Sequence, residues 1–163
     1  MTDAGEVRGT GTAGTAVLNG GEGHGRGGDP AGATVLTVRS EPDLMAIRHA
    51  VRAATLRVGF SIVDQTRVVT AASELARNAY VHGGGGTVAI EYPTRPGSVG
   101  LRLTVSDSGP GIADVDAALA DGYTTGAGLG HGLGGAQRLM DEFEIRTGKG
   151  GGTTVTATRW ADR

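Results

Sequence analysis

The amino-acid sequence predicts an α+β domain, a mixed and mostly antiparallel sheet covered by helices on one face. Three observations lead there. Alternating apolar strands come in runs rather than singly between helices. Helical periodicity is grouped, with two long segments side by side near the start and a third near the end. Aromatic residues are only 4% of the chain, so the core must be built from Val, Ile, Leu and Ala.

Taken in order, residues 34–39 (TVLTVR) alternate and read as a strand. Residues 43–57 read as a helix with Asp43 near its start and Gly59 just past its end. A second helix spans 61–81, opened by Ser61 with Asp64 three positions on, close to a capping box. The run HGGGG at 82–86 forces a turn. Residues 87–92 and 99–106 are strands joined by PTRPGS. A glycine-rich loop follows from 107 to 130, then a helix at 133–142 and strands at 143–147 and 153–160 around GKGGG.

Composition divides the chain. Residues 1–33 hold eleven of the 31 glycines and almost no large apolar side chains. Such a segment buries too little surface to offset chain entropy, so a disordered tail is expected there. Its two arginines, Arg8 and Arg26, against four acids, Asp3, Glu6, Glu22 and Asp29, account for the whole net charge of -2. The folded domain is expected over 34–163, and a domain of that size buries roughly two-thirds of its unfolded surface.

Several classes of function are excluded or disfavoured. Without Cys there is no thiolate metal site, disulfide scaffold or cysteine nucleophile. The near-neutral balance supplies no basic field for nucleic acid or anionic membrane. No stretch of ~20 apolar residues is present for a membrane span. With no apolar signal core at the N-terminus, a cytoplasmic location is the default expectation.

The loop at 107–130 is too long for a plain connection and suggests a lid or binding loop. It begins with Asp107-Ser-Gly-Pro-Gly111 and ends with Gly126-Ala-Gly-Leu-Gly-His-Gly132, which runs into the third helix. Glycines let backbone N–H groups approach a ligand, and a helix start favours anions such as phosphates. A Walker loop is absent, because Lys149 is followed by Gly150. Gly130, Gly132 and Gly135 fit G-x-G-x-x-G but follow a loop rather than a strand, so the dinucleotide-binding context fails.

Glu74 and Asn78 stand four residues apart on the second helix, hence on one face. An amide oxygen beside a carboxylate suits Mg²⁺, with Asn78 holding the metal and Glu74 accepting a proton. Taken alone, such a pair is more often a solvated polar face. Asp107 ends an apolar strand and is placed to accept a hydrogen bond from an exocyclic amine; it also fits a turn-forming Asp. Thr153 and Thr154 open the last strand, either supporting that pocket or favouring the strand.

In order, these stretches resemble the histidine-kinase-like ATPase superfamily with its Bergerat-type α/β sandwich and ATP lid. SELARNA (73–79) resembles its N box, Asp107–Gly111 its first glycine box, Gly126–Gly132 its second, and Gly152-Thr-Thr its third. The stretches GFSIVDQTR, SELARNAY and DGYTTGAGLGHGLGGAQRLMDEFEI are closest to the anti-sigma-factor serine/threonine kinases of the RsbT-type switch-kinase group. The glycine-rich tail falls outside the pattern. His131 and Gly134 stand where the pattern would have apolar residues or Pro.

The resemblance implies ATP and Mg²⁺. Asn78 would coordinate the metal and Glu74 would be the general base. Asp107 would bind adenine N6, and Gly109 and Gly111 would let the lid pass the base. Gly126 would lie in the same second glycine box as Gly128, Gly130 and Gly132, which would cradle the phosphates. Thr153 would support adenine recognition through water. The implied phosphoacceptor is a Ser or Thr on a STAS-domain antagonist, with a PP2C-type phosphatase as a second partner. A nucleotide-dependent anti-sigma factor that sequesters a sigma factor is the other reading. An ATP hydrolase of the gyrase kind is not expected, since no transducer domain follows Arg163. His49 lacks the surroundings of a phosphoacceptor box, and His82 reads as a helix-end residue.

Overall fold

The computed structural model describes residues 33–120, 132–148 and 150–161. Strand β1 (Thr34–Val38) leads into helix α1 (Glu41–Val58) and helix α2 (Ile62–Val81). Strand β2 (Gly86–Glu91), the short β3 (Thr94–Arg95) and β4 (Ser98–Asp107) follow, then helices α3 (Val115–Leu119) and α4 (Gly132–Leu139), and finally β5 (Glu142–Thr147) and β6 (Thr153–Ala161). The tail expected at 1–33 lies outside the described residues apart from Ala33.

Local chemistry explains the helix limits. Pro42 sits in the first turn of α1, where its missing N–H costs nothing. The Asp43 carboxylate accepts the Arg39 N–H at 2.8 Å, and Gly59 closes the helix at φ 86. Ser61 caps α2, its hydroxyl accepting the Asp64 N–H at 3.2 Å, as its position in the sequence suggested.

The sheet order is β1-β2-β4-β6-β5, with β3 paired to the start of β4. Every pairing among the described strands is antiparallel. One face is apolar: Val88, Ile90, Leu101, Leu103, Val105, Phe143, Ile145, Val155 and Ala157 are all buried. The register aligns them in rows, Val88 opposite Val105 and Val105 opposite Val155. Helix α2 packs on this face through β2 and β4, and both α1 and α4 pack against α2. Ile47, Val51, Val68, Ala71, Ala72 and Leu75 supply the helical half of the core. Each fully buried Val, Leu or Ile side chain among them is worth about 1.5–3 kcal/mol.

Two local expectations shift. The stretch expected to be loop from 107 onward contains α3, a helix of five residues capped by Asp114, whose carboxylate accepts the Ala117 N–H at 3.0 Å. The third long helix, expected to reach residue 142, stops at Leu139. Asp141 is drawn to the sheet instead: its N–H donates to the Thr158 carbonyl at 2.9 Å, and its carboxylate accepts the Trp160 N–H at 2.8 Å. Arg159 then bridges Asp141 and Asp64, the latter at 2.9 Å, tying the last strand to the first turn of α2.

Candidate nucleotide site

The end of the sheet reached by β4 holds a row with three polar side chains, Asp107, Thr153 and Thr147. Gly86 pairs with Asp107, Asp107 with Thr153, and Thr153 with Thr147, so four adjacent strands contribute one residue each. Strand alternation puts this row on the same face as Val105, Val155 and Ile145, the face the helices cover. Thr147 and Thr153 are buried, while Asp107 is half-buried.

Asp107 is positioned from both sides. Its Oδ1 accepts the Gly109 N–H at 2.9 Å, the local turn expected for an Asp followed by Gly two residues on. The chain leaving α2 presses against the same carboxyl. His82 N–H donates to the Asn78 carbonyl at 2.9 Å, and Gly83 follows with N–H to the Ala79 carbonyl at 3.1 Å. Gly83 then lies flush on the Asp107 side chain: a Cβ there would meet Asp107 Cγ, Cβ and Oδ1. A Cβ at Gly109 would in turn meet Gly83 Cα at 2.7 Å. Glycine is therefore dictated at two positions here, 83 and 109, by contact and not only by turn conformation.

Beyond Asp107 the chain is clamped to the β5–β6 turn. Gly150 N–H donates to the Pro110 carbonyl at 2.9 Å, and Ile112 N–H donates to Thr147 Oγ1 at 2.8 Å. Gly111, at φ 81, sits so close to the Gly148 carbonyl that no side chain fits. Gly152, at φ 77, packs likewise on the Asp107 carbonyl.

Glu74 and Asn78 lie one turn apart near the C-terminal half of α2, both half-buried. Neither side chain makes a hydrogen bond among the described residues, so both keep their oxygens available. The α2 end that bears Asn78 is the one that delivers Gly83 to Asp107. Gly132, at φ 61, starts α4, and α4 packs on α2. Gly134 approaches the Leu119 carbonyl so closely that a Cβ would collide, so the departure from an apolar residue at this position is explained by the α3–α4 contact. Gly126, Gly128, Gly130 and His131 lie outside the described residues. Sequence reasoning missed Gly83 and Thr147. Gly83 was one of four glycines in a turn, and Thr147 one polar residue in an alternating strand.

An amide oxygen is the kind of donor a hard cation takes. Asn78 offers one amide oxygen, and among the described residues no group of three or more His, Cys, Asp or Glu could hold a metal alone.

Residues 36–159 match the histidine kinase-like ATPase domain. The chain belongs to that family. The histidine kinase-like ATPase chain described here is 43% identical over 123 residues to the serine/threonine-protein kinase RsbT of Bacillus subtilis, covering 76% of this chain and 92% of that one. It is 34% identical over 126 residues to the anti-sigma F factor of Geobacillus thermodenitrificans, covering 73% and 84%. Among solved structures it resembles the RsbU and RsbW domains of a Mycobacterium tuberculosis protein, with a TM-score of 0.55 and 26% identity, covering 80% of this chain and 34% of that longer one. The resemblance read from the motifs, to this superfamily and to its RsbT-type members, is borne out. Among the described residues no helix is long and apolar enough to cross a membrane.

Proposed function

We propose that this chain is an ATP- and Mg²⁺-dependent protein serine/threonine kinase of a partner-switching system that regulates a sigma factor. The single observation behind it is the arrangement of Asp107 and Thr153 side by side on the sheet, with the Asn78 end of α2 closing on Asp107 through Gly83. The 43% identity to a serine/threonine kinase supports the reaction class.

In this reading Asp107 Oδ2, the oxygen not engaged by Gly109, accepts the adenine exocyclic amine. Thr153 supports the base through water, and Gly109 and Gly111 let the backbone pass close to it. Gly126, Gly128, Gly130 and Gly132 cradle the phosphates, N–H groups at the start of α4 adding to that grip. Asn78 would hold Mg²⁺, which when bound neutralises charge on the phosphates. Glu74 takes the proton of the acceptor hydroxyl as its oxygen bonds to the γ-phosphorus, and the bond from that phosphorus to the β-phosphate oxygen breaks to release ADP. Positioning and charge neutralisation supply most of the acceleration in such transfers, and a general base typically adds ~10²–10⁴-fold.

The acceptor is a Ser or Thr of a STAS-domain antagonist, with a PP2C-type phosphatase as second partner, the domain running from 34 to 163 and working in the cytoplasm. Similarity to an anti-sigma F factor favours a second reading, sequestration of a sigma factor with nucleotide setting the binding shape. Incubating the protein with Mg-ATP and the STAS protein encoded beside it tests the first reading. Stable phosphate on a Ser or Thr of that protein, lost in Glu74→Ala, is the expected result. No transfer, together with unchanged sigma-factor binding in Glu74→Ala, would favour the second.

A further inference from the structure

Thr147 Oγ1 is a junction. It accepts the Ile112 N–H at 2.8 Å, lies 3.2 Å from the Gly152 carbonyl and lies 3.0 Å from Thr153 Oγ1. A hydroxyl has one proton to give and two lone pairs. Ile112 occupies one lone pair. The proton then has two acceptors, the Gly152 carbonyl and Thr153. If it goes to Gly152, Thr153 keeps its bond to Thr147 only by donating its own proton, and then shows the pocket only lone pairs. If it goes to Thr153, the Thr153 proton is free to be donated to a ligand. Thr147 is 7% and Thr153 9% exposed, so both hydroxyls are largely shielded from bulk water and bond chiefly to each other and to the backbone.

We infer that Thr147 is a positioning residue for the nucleotide base: it sets which hydrogen-bonding polarity Thr153 presents, and it ties that choice to the docking of the Pro110–Ile112 segment. The neighbouring Gly150 N–H to Pro110 bond and the tight Gly111–Gly148 approach hold the segment where Ile112 can reach Thr147. Ile112 lies between Asp107 and α3, so any movement of the chain leading into α3 is felt at Thr153 through one oxygen. The inference rests on the nucleotide reading above and deepens it.

The test compares wild type, Thr147→Val and Thr147→Ser for binding of ATP and of inosine triphosphate, whose base edge carries a different donor and acceptor pattern. Thr147→Val keeps the shape and removes the hydroxyl; Thr147→Ser keeps the hydroxyl. The expected result is a loss of ATP affinity of about fivefold in Thr147→Val, the worth of roughly one neutral hydrogen bond. Inosine triphosphate affinity should change much less, and Thr147→Ser should restore the wild-type ratio. Equal losses for both nucleotides, or a serine variant that fails to restore the ratio, would overturn the inference and leave Thr147 a packing residue. Amide exchange measured without nucleotide gives a second readout: the Ile112 N–H should exchange faster in Thr147→Val than in wild type, and an unchanged rate also counts against the coupling. Should Thr147→Val fail to fold, Thr147→Ala takes its place with the same expectations. Wild type that binds no ATP would sink the nucleotide reading itself, a result distinct from a variant that binds as wild type does.

Discussion

Gly83 and Asp107 touch across two elements: a Cβ on Gly83 would stand 2.7 Å from Asp107 Oδ1. The end of α2 and the end of β4 are thereby fitted to each other with no space for a methyl group. Gly83→Val should therefore swing the carboxylate away while leaving the core intact. ATP affinity is expected to fall by about 1.5–3 kcal/mol, the scale of a hydrogen bond to a charged group. Titration calorimetry beside a circular dichroism spectrum checks it, and wild-type affinity in a folded variant would show that the carboxylate's orientation is unimportant.

Asp107→Asn keeps the shape and the Gly109 N–H bond but removes the charge. Adenine nucleotides should weaken by about 1.5–3 kcal/mol, and triphosphates of other bases much less. Equal weakening across bases would contradict the assignment of Asp107 to the adenine amine.

Glu74→Ala should separate binding from chemistry. Glu74 makes no hydrogen bond among the described residues, so its removal disturbs little. Nucleotide affinity should hold while phosphate transfer falls ~10²–10⁴-fold. Parallel loss of both would remove Glu74 from the role of base.

Asn78→Ala should weaken ATP binding in the presence of Mg²⁺ and leave binding in its absence nearly unchanged. Its backbone carbonyl, which accepts the His82 N–H, is retained in the variant, so the helix end survives. Identical titrations with and without Mg²⁺ would exclude a metal role.

Gly111→Ala tests the clamp rather than the chemistry. Positive φ and the collision with the Gly148 carbonyl act together, and the left-handed conformation alone costs a non-glycine residue about 1–3 kcal/mol. Urea unfolding should show a stability loss of at least that size, seen as a lower midpoint at an unchanged slope. A midpoint equal to wild type would mean the segment relaxes freely.

Local signals determined most elements from the sequence. Ser61 capping α2, Gly59 closing α1 and the alternation of β4 are decided within a few residues, and all are found where the pattern places them. The helix α3 was not anticipated, because five residues give barely more than one turn of periodicity; Asp114 followed by Val115 and Ala118 was its only mark. The end of α4 was misplaced because Asp141 bonds to Thr158 and Trp160, partners that no local pattern names.

Residue type at Glu74, Asn78, Asp107 and the glycine boxes was written in the chain, since chemistry and short-range spacing are one-dimensional. What stands beside what was not. Thr147 meets Ile112 across 35 positions, and Asp107 meets Thr153 across the ladder between β4 and β6. Strand register is fixed by burying one apolar face, and only when Val105 and Val155 are matched does the polar row assemble at the sheet's end.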